Sequence, residues 1–474
     1  MADVPLPGAE LTLEAGDHGP GRDPAVLGAV IPPAVQELLR TLWTAGFAGY
    51  VVGGSLRDLL LGRDVHDWDL ATSALPEATV GLFEDAVYEN KFGTVAVRED
   101  AVASGEIQVT TFRSDHDYAD YRRPHRVEFG DSIELDLARR DFTVNAMAWG
   151  SEPGATPALV DPHSGRDDIA SATLRAVGDP ATRFREDALR MIRAVRLAAT
   201  LDFVIEPATL AAITEHAELV RHLSGERIAM ELTRLLAAPR PSVGLGLLHD
   251  TGMLAQLWPE LARQRGVPQN KIDGEDLWDH TLRAVDAATT PTIRLVALLH
   301  DIGKPSTMAD GRFVGHETVG ADQARRLLDD LRWAHPDRDR VVRLIRHHMF
   351  GYVPTWSDAA VRRFIAKVGP EMLEDLFLLR EADNVGSGRE PVPDGLAELR
   401  ARVERELAAG VALDLHGLAI DGSDLIAELG LASGPVIGRI LGKLLDRVIG
   451  DPTLNTRDRL LAIARSIVAQ EPTT

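Results

Sequence analysis

A strand, a glycine turn and the start of a helix stand in immediate succession at Tyr50 to Leu61, and an Asp-x-Asp pair follows at Asp67 and Asp69. The apolar run Tyr50-Val51-Val52 reads as a short buried strand, Gly53-Gly54 as a tight turn, and Leu56 to Leu61 as the first turns of a helix. Backbone N–H groups at such a turn point outward without helical partners, which makes a cradle for phosphate. Side chains of an extended run alternate in direction. The Asp67 and Asp69 carboxylates therefore project to one side and Trp68 to the other, and two carboxylates on one side can hold a hard divalent cation.

Gly-Gly turns and Asp-x-Asp pairs are each common, but the two in this order and this close are specific. Together they resemble the nucleotidyltransferase superfamily that includes DNA polymerase beta. The longer string GGSLRDLLLGRDVHDWDLATSALPE, Gly53 to Glu77, resembles the bacterial (class II) tRNA CCA-adding enzymes and the bacterial poly(A) polymerases. This resemblance implies Mg²⁺ on Asp67 and Asp69 as catalytic carboxylates, and a triphosphate held by Gly54, Ser55 and Arg57.

At 474 residues the chain is too long for one core and suggests roughly three or four modules. The absence of cysteine excludes disulfides, thiolate catalysis and Cys-ligated zinc. The N-terminal stretch has no apolar core and no basic start, and no later stretch is long enough to span a bilayer, so a cytoplasmic enzyme without membrane contact is expected. A formal charge of -21 argues against a nucleic-acid partner only if the charge is spread evenly. Arginines are dense around Arg122, Arg123, Arg139 and Arg140 and from Arg183 to Arg196, which implies a narrow basic track on an acidic body.

Residues 1–25 read as a disordered tail, rich in Gly, Pro and acids. The spacing of Val35, Leu38, Leu39, Leu42 and Trp43 predicts a helix packed behind the catalytic strand, and Thr94 to Val97 and Ile107 to Thr110 read as further strands. From Arg113 to Val127 the chain is polar and aromatic, with no usable period, and reads as a long loop. The resemblance makes it a mobile element needed for the last addition, with Asp120 to Pro124 close to the usual form. In Arg139-Arg140-Asp141-Phe142-Thr143-Val144-Asn145, charges sit in an apolar element and must pair or meet ligand. By resemblance Arg140 contacts the triphosphate, Asp141 the ribose, and Asn145 supports the site; a structural salt bridge is the alternative.

Beyond a turn-rich boundary at Leu159 to Gly165, Phe184 to Leu201 reads as one helix with an apolar stripe and a second stripe of Glu186, Asp187, Arg190 and Arg193. Asp187 and Arg190 form either an intrahelical ion pair or an acceptor beside a fork of donors suited to a base edge. Glu186 to Arg190 matches the family's nucleotide-selecting motif, which implies that Asp187 and Arg190 read the base, with Arg193 also on the nucleotide. Ser224 to Ile228 matches the motif that braces this helix, which gives Glu226 and Arg227 supporting roles.

A second signature begins at Leu277. His280, His300, Asp301, His316, His347, His348 and Asp383 lie on helical stretches, and the set resembles the HD phosphohydrolases. The resemblance implies a divalent transition metal on His280, His300, Asp301 and Asp383, and a possible second ion on His316 and His348. The remainder is helical, with Gly434-Pro435 between two apolar runs as in the family's tail, and is expected to touch distant parts of the RNA.

The expected architecture is α+β: a small mixed-sheet nucleotidyltransferase head (26–160), then an all-α neck (161–265), HD domain (266–390) and tail (391–474). The expected reaction is attack of a tRNA 3′-hydroxyl on the α-phosphate of CTP or ATP. The alternatives are poly(A) synthesis, or a metal phosphohydrolase with an RNA-binding head. One departure stands out: relatives often carry Glu where this chain has Gln108, and an amide replaces an anionic ligand poorly. Either two carboxylates suffice, or Glu106 or Asp141 contributes.

Overall fold

The computed structural model describes residues 26–90, 93–113, 116–118, 124–126, 129–130, 132–269 and 271–470. The expected tail, Arg122, Arg123 and most of the expected mobile loop lie outside the described residues. The chain forms two compact units, Met1–Leu257 and Trp258–Thr474. No helix among the described residues is long and apolar enough to cross a membrane.

The first unit is built on a seven-stranded mixed sheet, in the order β3-β4-β5-β2-β1-β8-β9. Its strands are β1 (Gly49–Val52), β2 (Trp68–Thr72), β3 (Ala86–Asn90), β4 (Thr94–Arg98), β5 (Glu106–Thr111), β8 (Ala148–Ser151) and β9 (Ala158–Val160). The β2–β5 pair is parallel and pairs Trp68 with Ile107, Asp69 with Gln108 and Leu70 with Val109. Alternation then sorts the residues by face. Val51, Trp68, Leu70, Ile107 and Val109 enter one core with Val35, Leu38, Leu39 and Leu42 of helix α1 (Pro33–Thr44). Tyr50, Val52, Ala71 and Phe112 enter a smaller core on the opposite face, and Asp69 and Gln108 share that second face. A one-residue slip would bury both polar side chains, so the apolar alternation fixes where the carboxylate points.

The structure departs from the expectations at four places. Helix α2 (Gly53–Leu60) begins at the glycines rather than after them. Strand β2 begins at Trp68, leaving Asp67 just outside it, exposed to solvent. The segment after Arg113 contains an antiparallel ribbon of β6 (His116–Tyr118) and β7 (Pro124–Arg126), which a search for alternation misses in strands of three residues. The expected helix from Phe184 to Leu201 is two helices, α4 (Pro180–Glu186) and α5 (Leu189–Leu201), following α3 (Ile133–Ala138) in the chain. The break falls at Asp187, which is extended at φ -150, ψ 104 and accepts a hydrogen bond from Leu189 N at 3.1 Å. An aspartate that caps a new helix start competes with helix continuation.

Helix α6 (Gly225–Leu236) packs on α5. The second unit is helical among its described residues. Helix α7 (Leu277–Ala287) starts on a capping box of Asp276 and Asp279 and buries Leu277, His280, Thr281 and Ala284 on one face. It packs against α8 (Pro291–Leu299), capped by Thr290, and against α11 (Leu373–Gly386). Helices α9 (His316–Asp330) and α10 (His335–His347) pack on each other.

Candidate active site

In the first unit the expected residues converge on two adjoining cavities that share Gly54, Asp69, Asn145 and Arg193. Gly53 has φ +70, and an added Cβ would lie 3.0 Å from Arg140 Nη1. Only glycine allows both this backbone and the close approach of that guanidinium to the turn. Ser55 is buried; its hydroxyl donates to Val52 O at 2.9 Å and accepts from Asp69 N at 3.2 Å. The glycine turn and the Asp69 strand are thereby locked together. With its hydroxyl engaged, Ser55 has only its backbone N–H at the helix start to offer a phosphate.

From the cradle a chain of alternating charges and amides runs into the helices. Arg57 chelates Asp58 at 2.9 and 2.8 Å and donates through Nη1 to Asn145 Oδ1 at 2.6 Å. Asn145 Nδ2 donates to Asp141 Oδ1 at 3.1 Å, and Asp141 Oδ2 accepts from Arg193 at 2.8 and 2.7 Å. Burial pushes the Asp141 carboxyl up, but Arg193 and Asn145 outweigh it and hold the group below the usual carboxylate range. Arg193 also reaches Glu231, which accepts from Arg196 Nε at 2.6 Å. Glu231 is a fully buried brace that the sequence reading missed. Its signal was a lone acid beside the apolar stripe Ile228, Leu232, Leu235. Glu226, expected to brace, is exposed.

Asp67, Asp69, Glu106 and Gln108 line one cavity. Asp69 is half-buried; desolvation raises its pKa, the nearby Asp67 charge adds to this, and Arg140 opposes it. A carboxylate kept under that load is relieved by a cation, which fits the pair as a metal site. Gln108 occupies the strand position beside Asp69. Of the two groups left open for a third ligand, Asp141 is tied to Arg193 and Asn145, whereas Glu106 is exposed in the same cavity as Asp67.

The two residues expected to read the base do not pair with each other. Asp187 Oδ2 accepts from Arg227 Nη2 at 2.6 Å, while Arg190 donates to Glu186 at 2.6 Å and to Arg139 O at 2.9 Å. Asp187, Arg190, Arg193 and Arg227 line the cavity that also contains Gly54, Arg140, Asp141 and Asn145.

In the second unit all six expected ligands come together. His280 Nε2 and His300 Nε2 lie 3.4 and 3.1 Å from Asp301 Oδ2, and His316 Nε2 and His348 Nε2 lie 3.4 and 3.7 Å from Asp301 Oδ1. Asp383 Oδ1 is 3.4 Å from His280 Nε2. Asp301 thus divides the set into two groups of ligands. His347 stays outside, among Lys367, Arg343 and Arg346.

The Nδ1 atoms of His300, His316 and His348 each sit 2.7 Å from a backbone carbonyl three residues earlier, which fixes Nδ1–H and leaves Nε2 as a lone pair. For His316 and His348 those lone pairs meet, at 3.3 Å Nε2 to Nε2, while His280, whose Nδ1 has no hydrogen-bond partner among the described residues, places its Nε2 3.3 Å from that of His300. Facing lone pairs in a buried site repel unless a cation lies between them, so the residues fit metal. Burial pushes His348 toward its neutral, ligating form. Lys304 Nζ, 2.7 Å from Asp301 Oδ2, and Lys271 Nζ, 3.7 Å from Asp383 Oδ1, are further cations beside these ligands.

Family models match segments of both units. The Poly A polymerase head domain matches residues 49–175, the family described as "Probable RNA and SrmB- binding site of polymerase A" matches 202–265, and the HD domain matches 277–387. A CCA-adding enzyme of Levilactobacillus brevis is 34% identical over 433 residues, 90% of this chain and 96% of its own. One from Geobacillus stearothermophilus is 46% identical over 234 residues, 48% of this chain and 56% of its own. The crystal structure of Bacillus stearothermophilus CCA-adding enzyme in complex with CTP aligns with a TM-score of 0.69 and 29% identity, covering 93% of this chain and 98% of that one. By sequence along almost its whole length, the chain belongs to the family of CCA-adding enzymes, with a poly(A) polymerase-type head and an HD domain.

Proposed function

We propose that this protein adds C, C and A in turn to the 3′ end of tRNA, taking CTP and ATP as substrates and working without a template. The observation that carries the reading is the unbroken network from Arg57 through Asn145, Asp141 and Arg193 to Glu231. It holds Arg57, Asn145, Asp141 and Arg193 around one pair of cavities, which supports reading them as a phosphate cradle, a ribose-side carboxylate and a base-reading wall.

The terminal 3′-oxygen of the RNA forms the new bond to the α-phosphorus, the bond to the β-phosphate oxygen breaks, pyrophosphate leaves and the hydroxyl proton is released. Mg²⁺ held by Asp67 and Asp69, when bound, supplies charge neutralisation on the phosphates and acidifies the attacking hydroxyl. The start of α2 at Gly54 and Ser55 presents N–H groups to the triphosphate, and Arg57 and Arg140 add charge. Asp141 holds the ribose side. Asp187 accepts the exocyclic amino group that C and A share, and Arg190 donates to the adjacent ring nitrogen; U and G place an acceptor and a donor there instead. A protein acting on tRNA in this way works in the cytoplasm.

The test is incubation of tRNA lacking its 3′ end with single nucleotides. CTP alone extends the RNA by two residues, and ATP alone leaves it unextended. Open-ended A addition to arbitrary RNA would instead make the protein a poly(A) polymerase.

A second activity is favoured by the HD cluster. His280, His300, Asp301 and Asp383 would hold one divalent transition metal and His316 and His348 a second, which would supply a Lewis acid for hydrolysis of phosphoesters at RNA ends, with 2′,3′-cyclic phosphates as the first candidates. Its test is metal content by elemental analysis together with metal-dependent phosphate release. Protein that takes up no transition metal removes this activity.

A further inference from the structure

We infer that Asp136 is a positioning residue for nucleotide choice, a single buried carboxylate that holds the triphosphate arginine and the base-reading arginine in fixed relation. The inference rests on the reading of the head as a CCA-adding site. The Asp136 side chain is 2% exposed and lies on α3 one turn before the Arg139-Arg140 pair. Its Oδ1 accepts from Arg139 Nη2 at 2.6 Å and Nε at 3.1 Å; its Oδ2 accepts from Arg140 Nη2 at 3.0 Å and Nε at 3.3 Å. Each guanidinium is therefore gripped by the same two nitrogens on a separate oxygen.

This grip has two consequences on the cavity wall. Arg140 keeps Nη1 away from Asp136, turned toward the glycine turn, where it stands 3.0 Å from the Cβ position of Gly53. The edge that a phosphate would meet is thus set by Asp136. On the other side, Arg139 is pinned by its side chain while its backbone carbonyl accepts Arg190 Nη2 at 2.9 Å. Asp136 therefore fixes the carbonyl against which Arg190 is aimed. Oδ1 also accepts from Arg113 N at 3.2 Å, which ties in the residue where the expected mobile loop begins.

Placement separates this from an ordinary structural ion pair. One carboxylate holds two guanidiniums, and both arginines, 18% and 21% exposed, line the candidate nucleotide cavity together with Asp136 itself. The two arginines also outweigh burial and hold the carboxyl down to about 2, so Asp136 is charged throughout the working range of pH.

The experiment is Asp136→Asn, which keeps the shape but lets only one side-chain oxygen accept. In the folded variant, KM for both CTP and ATP rises by about tenfold or more. Incorporation of UTP or GTP relative to CTP and ATP also rises, while tRNA affinity by filter binding stays at the wild-type value. Wild-type KM values and wild-type discrimination in the folded variant would overturn the inference. If Asp136→Asn does not fold, Asp136→Glu and Arg140→Lys are combined in a double-mutant cycle. Non-additive effects on KM for CTP support the inference, and additive effects overturn it. Wild-type protein that fails to extend tRNA would instead sink the functional reading on which the inference stands.

Discussion

Asp187, at the break between α4 and α5, is bound to Arg227 of α6 at 2.6 Å, and Arg190, three residues on, is bound to Glu186. The acceptor and the donor fork expected to read a base are therefore held by separate partners and do not quench each other. A site whose two recognition groups neutralised one another would have to break that pair for every nucleotide.

This arrangement predicts the behaviour of Asp187→Ala. Loss of the carboxylate lowers use of CTP and ATP together and raises relative incorporation of UTP or GTP, because an unmet polar group costs about 1–3 kcal/mol. Competition assays with all four nucleotides check this. A mutant with wild-type choice among them would move base selection elsewhere.

Asp67→Ala and Asp69→Ala each abolish addition and leave tRNA affinity nearly intact, since both groups act on the triphosphate. A filter-binding measurement showing comparable loss of tRNA affinity would make the pair structural. Gln108→Glu, placed beside Asp69 by the parallel register, supplies a third anionic ligand and lowers the Mg²⁺ concentration needed for half-maximal addition. An unchanged Mg²⁺ requirement would show that position 108 is remote from the ions.

In the HD unit the two ligand groups share Asp301, so substitutions there differ in reach. Asp301→Ala removes both bound metals. His348→Ala removes the ion shared with His316 and leaves the one on His280, His300 and Asp383. Elemental analysis of the purified variants reads this directly. Equal metal content in the two would contradict a carboxylate shared between two sites.

Asp136 also predicts an acid dependence. Its pKa in the folded chain, about 2, lies below the usual 3.8. The stability it contributes is present above the unfolded value and is lost as pH falls through the folded value. The difference amounts to about 2 kcal/mol. The gap in unfolding free energy between wild type and Asp136→Asn therefore narrows by about that amount between about pH 5 and pH 2. A gap that stays constant over this range would mean that the carboxylate titrates normally.

The fold was legible where one period dominated. Val35 to Leu42, the strands around Val95 and Val109 and the buried helix before His300 follow their apolar spacing. The clustering of the candidate site residues was legible where their types were dense, as in Arg139-Arg140-Asp141 and in the histidines that meet around Asp301. The break at Asp187 was not legible, because it depends on a carboxylate engaged by Arg227 from forty residues away. Nor were Asp136 and Glu231, which look like ordinary helix acids until tertiary packing buries them among arginines. Pairing across the chain decides such roles, and a local pattern does not contain it.

The central claim is tested most directly by giving the protein tRNA that lacks its 3′ end, with CTP, ATP and Mg²⁺ together, and sequencing the extended RNA. The account predicts that the products end in CCA and grow no further. Tails of A of varying length, or extension of RNA unrelated to tRNA with equal efficiency, would contradict it.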